Sequence, residues 1–118
     1  MRDFRKLLIW KESIDLTTVI YDLVKVLPTE ERYGIKSQIT RSRVSIPSNI
    51  AEGCSRSNKE FKHFLNIAFG SSYELETQLI ISSRIGLIDS ETVKHVQLNL
   101  NTLQKRINAF RNSIKHIP

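Results

Sequence analysis

From Val93 onward the apolar residues Val93, Val96, Leu100, Leu103, Ile107, Phe110, Ile114 and Ile117 recur at steps of three and four without a break. On an α-helix that spacing lays every one of them along a single stripe, and a stripe so long has to be buried against other helices of similar length. A matching seam opens the chain: Ile9, Ser13, Leu16, Ile20, Leu23 and Leu27, widened by Val19 and Val26. It predicts a first helix over about 3–27, stopped by Pro28, which has no amide to donate and biases its predecessor away from the α region. Glycine and proline together number only seven among 118 residues, and alternation at steps of two is rare. The chain therefore reads as all-α and, at this length, as one domain spanning 1–118.

Between these two seams lies the helical hairpin 36–79. Its first arm, a predicted helix over 35–53, carries Ile35, Ile39, Ile46 and Ile50 at helical spacing, with Ser37, Ser42, Ser45, Ser48 and Ala51 between them. Small side chains let helix axes approach closely. Pro47 deletes the amide that would bond the Arg43 carbonyl, which predicts either a kink there or a restart of the helix. Asn49 and Glu52 lie near the apolar stripe, and both are read as register-fixing polar groups. Gly53 is expected to end the arm in the left-handed conformation. Ser57 with Glu60 three residues on forms a capping-box signature for the next helix, predicted over 58–85. The loop before the hairpin (29–34) and the turn marked by Gly86 and the N-cap Asp89 are short, so successive helices fold back on one another. The predicted architecture is an antiparallel up-down-up-down four-helix bundle.

Helix three is apolar around most of its circumference. Phe61, Leu65, Ala68, Ser72, Leu75 and Leu79 share one face; Phe64, Ile67, Ile81 and Ile85 a second; Phe69, Tyr73 and Ile80 a third. One chain of this size cannot surround a helix on every side. Val44, Phe64, Ile67, Phe69, Tyr73 and Ile81 are therefore expected to meet a second copy of the chain.

The charge falls unevenly. Eighteen Lys and Arg against twelve Asp and Glu give a net +6. The antiparallel topology gathers 1–14, 46–57, 58–71 and 104–118 at one end, where eleven basic residues face four acidic ones, a surplus of seven. Arg5, Lys6, Arg56, Lys59, Lys62, Lys105, Arg106, Arg111 and Lys115 are the candidate nucleic-acid contacts, because a one-sided basic surplus is the footprint of a polyanion site. Helix C-termini favour cations and account for Arg56, Arg111 and Lys115, but not for Arg2, Arg5, Lys6, Lys59 and Lys62 at helix starts.

Catalysis is not signalled. His63, His95 and His116 are scattered, GCSRSNK lacks the second glycine and the preceding strand of a phosphate-binding loop, and no zinc spacing exists. No metal or cofactor is expected. The lone Cys54 excludes an intramolecular disulfide; cations around it could lower its thiol pKa, but no histidine is placed beside it. No signal peptide or membrane-length apolar run is seen, so the expected setting is the cytoplasm, away from membranes.

VSIPSNIAEG (44–53), the following Arg56 and FKHFLNIAFGSSYELETQL (61–79), with IWK near the start and RIGLID at the last turn, resemble the bacterial four-helix bundle proteins encoded by intervening sequences in large-subunit ribosomal RNA genes. The resemblance extends to the accessory variability proteins of diversity-generating retroelements. It implies a four-helix protomer, a ring-like homopentamer, no known catalytic activity and a basic surface proposed to bind RNA or DNA. In the retroelement branch it also implies contact with a reverse transcriptase. Ser45, Pro47, Asn49, Glu52 and Gly53 match the shared motif and read as structural. Arg43 departs from it, standing where relatives tend to carry a small residue.

Overall fold

The computed structural model describes residues 2–31 and 34–115; the expectations for Ile117 and His116 lie outside them. Four helices follow in order: α1 (Leu8–Val24), α2 (Ile35–Cys54), α3 (Asn58–Arg84) and α4 (Ser90–Ser113), preceded by a 3-10 turn at Phe4–Lys6. Each helix packs on its neighbours in sequence and α1 closes on α4, while among the described residues the backbones of the diagonal pairs α1/α3 and α2/α4 do not come within 8 Å, Cα to Cα. The directions alternate. The Arg2 amide donates to the Cys54 carbonyl at 3.2 Å, joining the front of α1 to the end of α2. Asn58 at the front of α3 donates to the Lys115 carbonyl just past α4 at 3.1 Å. The up-down-up-down bundle is thus built as its seams dictate, with Ile20, Ile39, Ile50, Phe61, Leu65, Leu75, Leu100 and Ile107 fully buried along its axis.

The helix boundaries depart from the expected ones where local caps intervene. Helix one begins at Leu8 rather than residue 3, because the Asp3 carboxylate accepts from the Arg5 amide at 3.1 Å and closes a separate 3-10 turn, after which Leu7 is extended. It ends at Val24 rather than 27, since the chain tightens into turns before Pro28 and tucks Leu27 into the core. The last turn of α3 is closed by a Schellman pair: the Gly86 amide donates to Ser83 at 3.1 Å and the Leu87 amide to Ser82 at 2.8 Å, with Gly86 at φ +79°. Asp89 caps α4 through the Thr92 amide at 3.2 Å.

The hairpin holds two further departures. The helix does not restart at Pro47: α2 runs through it as one element from Ile35 to Cys54. The Arg43 carbonyl that Pro47 leaves without an amide accepts instead from the Thr17 hydroxyl of α1 at 3.0 Å, so the proline creates an acceptor that ties two helices together. Gly53 lies within α2 and, among the described residues, only Gly86 takes a positive φ. What requires glycine at 53 is space: a Cβ there would stand 2.5 Å from the Phe61 ring and 3.1 Å from Phe64 Cβ. α2 and α3 pack the most extensively of any pair, through small groups. Between them the Ser45 and Ser71 hydroxyls bond at 2.8 Å, and Asn49 donates to the Ser45 carbonyl at 2.8 Å and hydroxyl at 2.9 Å. Arg43, the departure from the motif, is buried at the α1/α2 seam, where it donates to the Thr17 carbonyl at 3.4 Å and lies 5.2 Å from the Tyr21 ring.

Candidate nucleic-acid interface

The pole where the chain starts is organised around Phe61. Its ring, fully buried, meets Phe110 edge-on at 5.7 Å and carries the Arg2 guanidinium 4.7 Å from its centroid, so the first turn of the protein is strapped across the ends of α2 and α3. Around this plug stand the basic residues of the bundle end. All four carboxylates there are engaged by arginine: Asp3 by Arg5 at 3.3 Å, Glu52 and Glu60 by Arg56 at 3.7 and 3.5 Å, and Glu12 by Arg106. These three arginines of the predicted set are accordingly held in ion pairs at the surface. Such pairs contribute about 0–1 kcal/mol each and leave the cation able to reach solvent.

The other predicted contacts are differently placed. Lys6, Lys59, Lys105 and Lys115 are exposed and Lys62 is half-buried, and none has a carboxylate within ion-pair distance among the described residues. Arg111 is oriented by neutral groups: it donates to Asn66 at 3.0 Å and to Asn108, and its guanidinium stands 5.0 Å from the Phe69 centroid. Asn66 and Asn108 were absent from the sequence-derived set, and Arg2, one of the eleven basic residues of that end, was not among its candidate contacts. Asn108 sits three residues before Arg111 on the same helix face, which was the available signal; the approach of Asn66 from α3 was visible only once the helices were paired.

The residues expected at a subunit contact divide between the two flanks of α3. Ile67 and Ile81 are exposed on the flank that carries Ser71, beside α2, and Phe64 is half-buried there. Phe69 and Tyr73 lie on the flank toward α4, their rings 5.0 Å apart and nearly perpendicular. Val44 is exposed on α2. Ser45 and Asn49 form the α2/α3 network described above, whereas Glu52 is exposed and paired with Arg56.

Two ionisable groups are perturbed. Cys54, almost wholly buried, has its thiol pushed up by burial and by Asp3, against a pull from Arg2 that burial outweighs, so the expected lowering by cations does not occur. Glu76 is also pushed up by burial, but amide donors from Gln104 at 2.9 Å, Gln97 at 2.8 Å and Asn101 at 3.2 Å together outweigh it and hold the carboxyl below its ordinary range. Among the described residues, no three His, Cys, Asp or Glu side chains are grouped to hold a metal ion, and no helix is long and apolar enough to cross a membrane.

The model of the 23S rRNA-intervening sequence protein family matches residues 5–109. The chain belongs to that family. The chain is also similar to a crystal structure from Bacteroides thetaiotaomicron described as a protein with unknown function from the S23 ribosomal protein family. The two share 26% identity, the alignment covers 90% of this chain and 100% of that one, and the TM-score is 0.83. No curated protein matches the chain. The resemblance carried by SIPSNIAEG is therefore sound at the level of family and fold.

Proposed function

We propose that this protein is a non-enzymatic, homo-oligomeric nucleic-acid-binding protein that grips phosphate through its basic pole with little regard to sequence. The observation that carries the reading is the pairing pattern at the pole. Every carboxylate there is engaged by Arg5, Arg56 or Arg106, yet Lys6, Lys59, Lys62, Lys105, Arg111 and Lys115 remain without an acidic partner among the described residues. Unneutralised cations on one surface attract a polyanion and release its counterions on binding. Assembly of several protomers, with the exposed Ile67 and Ile81 as contact residues, would present several such poles to one strand and multiply weak contacts.

The test is fluorescence anisotropy of labelled RNA and DNA over a salt series. Affinity should fall steeply as salt rises, and the combined variant Lys59→Glu, Lys62→Glu, Lys105→Glu should weaken all sequences alike. Removing one phosphate-binding cation should flatten the log–log slope by about 0.7 for single strands and about 0.9 for duplex. Affinity independent of salt, or no binding at low salt, rejects the proposal. A second reading, an adaptor whose basic pole docks an acidic protein surface such as that of a reverse transcriptase, rests on the same charge and predicts a pulldown that survives nuclease.

A further inference from the structure

At the edge of the basic pole, between α3 and α4, lies a pocket of about 350 Å³ lined by Phe69, Tyr73, Asn101, Gln104, Lys105 and Asn108. Its volume is at the small end of the ~300–1,000 Å³ range of ligand sites. We infer that this pocket receives a single unstacked base, which makes the nucleic acid bound at the pole single-stranded; the inference rests on the proposed polyanion reading and adds to it the ligand's class.

Three features of the pocket match the parts of a nucleotide. Tyr73 is 52% exposed, and its perpendicular contact with Phe69 leaves at least one face of its ring without an aromatic partner. A base offers a flat π-surface of the kind such a ring stacks on. The amides present one unused group of each sign: Asn101 spends its nitrogen on Glu76 and Gln104, leaving its oxygen as acceptor, while Asn108 spends its oxygen on Arg111, leaving its nitrogen as donor. Asn101 and Asn108 lie two helical turns apart on α4, so one of the two, not both, meets the hydrogen-bonding edge of a given splayed-out base. Lys105 on the rim and Arg111, held by Asn66 and Asn108 one turn poleward, stand where the flanking phosphates would pass. The adjoining carboxylate, Glu76, does not repel them: both its oxygens already accept from amides. This reading moves Phe69 and Tyr73 from the subunit contact, where sequence periodicity grouped them, to the ligand site.

The experiment compares three labelled probes of equal length, a thymidine 20-mer, an abasic 20-mer and a 20-base-pair duplex, on the full chain and on Tyr73→Ala and Tyr73→Phe. The wild type should prefer the thymidine strand to both others. Tyr73→Ala should weaken that strand by roughly 5- to 150-fold, the range of one missing base stack, and leave the abasic probe unchanged, while Tyr73→Phe keeps the preference. Irradiation with a 5-iodouracil strand should crosslink Tyr73. Equal binding of thymidine and abasic strands by the wild type overturns the pocket and leaves the pole; no binding of either overturns both. A preference that survives Tyr73→Ala also rejects the pocket, as does a drop in oligomer mass on light scattering of that variant, which would mark Tyr73 as a contact to a second copy.

Discussion

Replacing Gly53 with alanine tests whether the hairpin depends on close approach rather than on a left-handed turn. In an ordinary helical position the change gains about 1 kcal/mol of helix propensity. At Gly53 the new methyl would lie 2.5 Å from Phe61 Cδ1, 3.1 Å from Phe61 Cε1 and 3.1 Å from Phe64 Cβ, so it must be relieved by moving a ring or a backbone. The Phe61 ring is fully buried, with Phe110 against it and Arg2 over it, and has nowhere to go. Overpacking of this kind costs about 1–3 kcal/mol, and the lack of free space places Gly53→Ala toward the top of that range. After the propensity gain the net destabilisation is about 1–2 kcal/mol. With ~2.1 cal/mol/K of unfolding entropy per residue over 118 residues, Tm should fall by about 4–8 °C. Gly70→Ala is the matched control, because a Cβ there meets nothing within 4 Å; it should raise Tm by about 2–4 °C. Thermal and urea unfolding by circular dichroism, at one fixed protein concentration, read both. A Gly53→Ala protein as stable as the wild type would refute the steric argument.

The Thr17–Arg43 bond should be coupled to Pro47. Thr17→Val leaves a carbonyl without a partner and should cost about 1–3 kcal/mol, but clearly less in a Pro47→Ala background, where the restored amide takes that carbonyl; equal costs in the two backgrounds would show that the proline is not the reason for the tie. Because the Glu76 carboxyl is held below its ordinary range, it stabilises the fold fully above the unfolded pKa, and that contribution disappears as pH falls through the folded one. Glu76→Gln should therefore lower stability near neutrality and make the acid side of the stability curve shallower, and an unchanged acid limb in denaturant titrations would contradict the network's role. If the chain assembles as proposed, the double variant Ile67→Glu, Ile81→Glu, altering two exposed positions, should reduce the particle to protomer mass by light scattering while the helical circular dichroism is retained; an unaltered mass would remove these residues from the proposed subunit contact.

Much of the bundle was legible in the chain because its signals are local. The main seams of α1 and α4, the N-caps Ser57 and Asp89 and the turn at Gly86 each depend on residues within a few positions of one another and stand where their spacing places them among the described residues, except that Val19 and Val26, expected to widen the α1 stripe, are exposed and Val24 is buried instead. The surplus of cations at one pole followed from alternating helix direction alone. Where the reading failed, a partner distant in sequence had intervened. The helix restart at Pro47 does not occur, and Thr17, twenty-six positions before Arg43, satisfies the orphaned carbonyl. Gly53 is required by Phe61 rather than by its own φ. Cys54 is governed by burial rather than by the cations beside it in sequence.

The candidate site divides along the same line. That Lys and Arg crowd one end is a property of order and direction, and any antiparallel pairing of these four segments would produce it. Which of them are tied to carboxylates, and that Tyr73, Asn101 and Asn108 from two helices line one pocket beside Arg111, depends on the rotation of each helix about its axis. Hydrophobic periodicity fixes only which stripe faces inward. The azimuth of every flanking residue is set by how small and large side chains interlock across the seams, and that is decided by the packed structure as a whole.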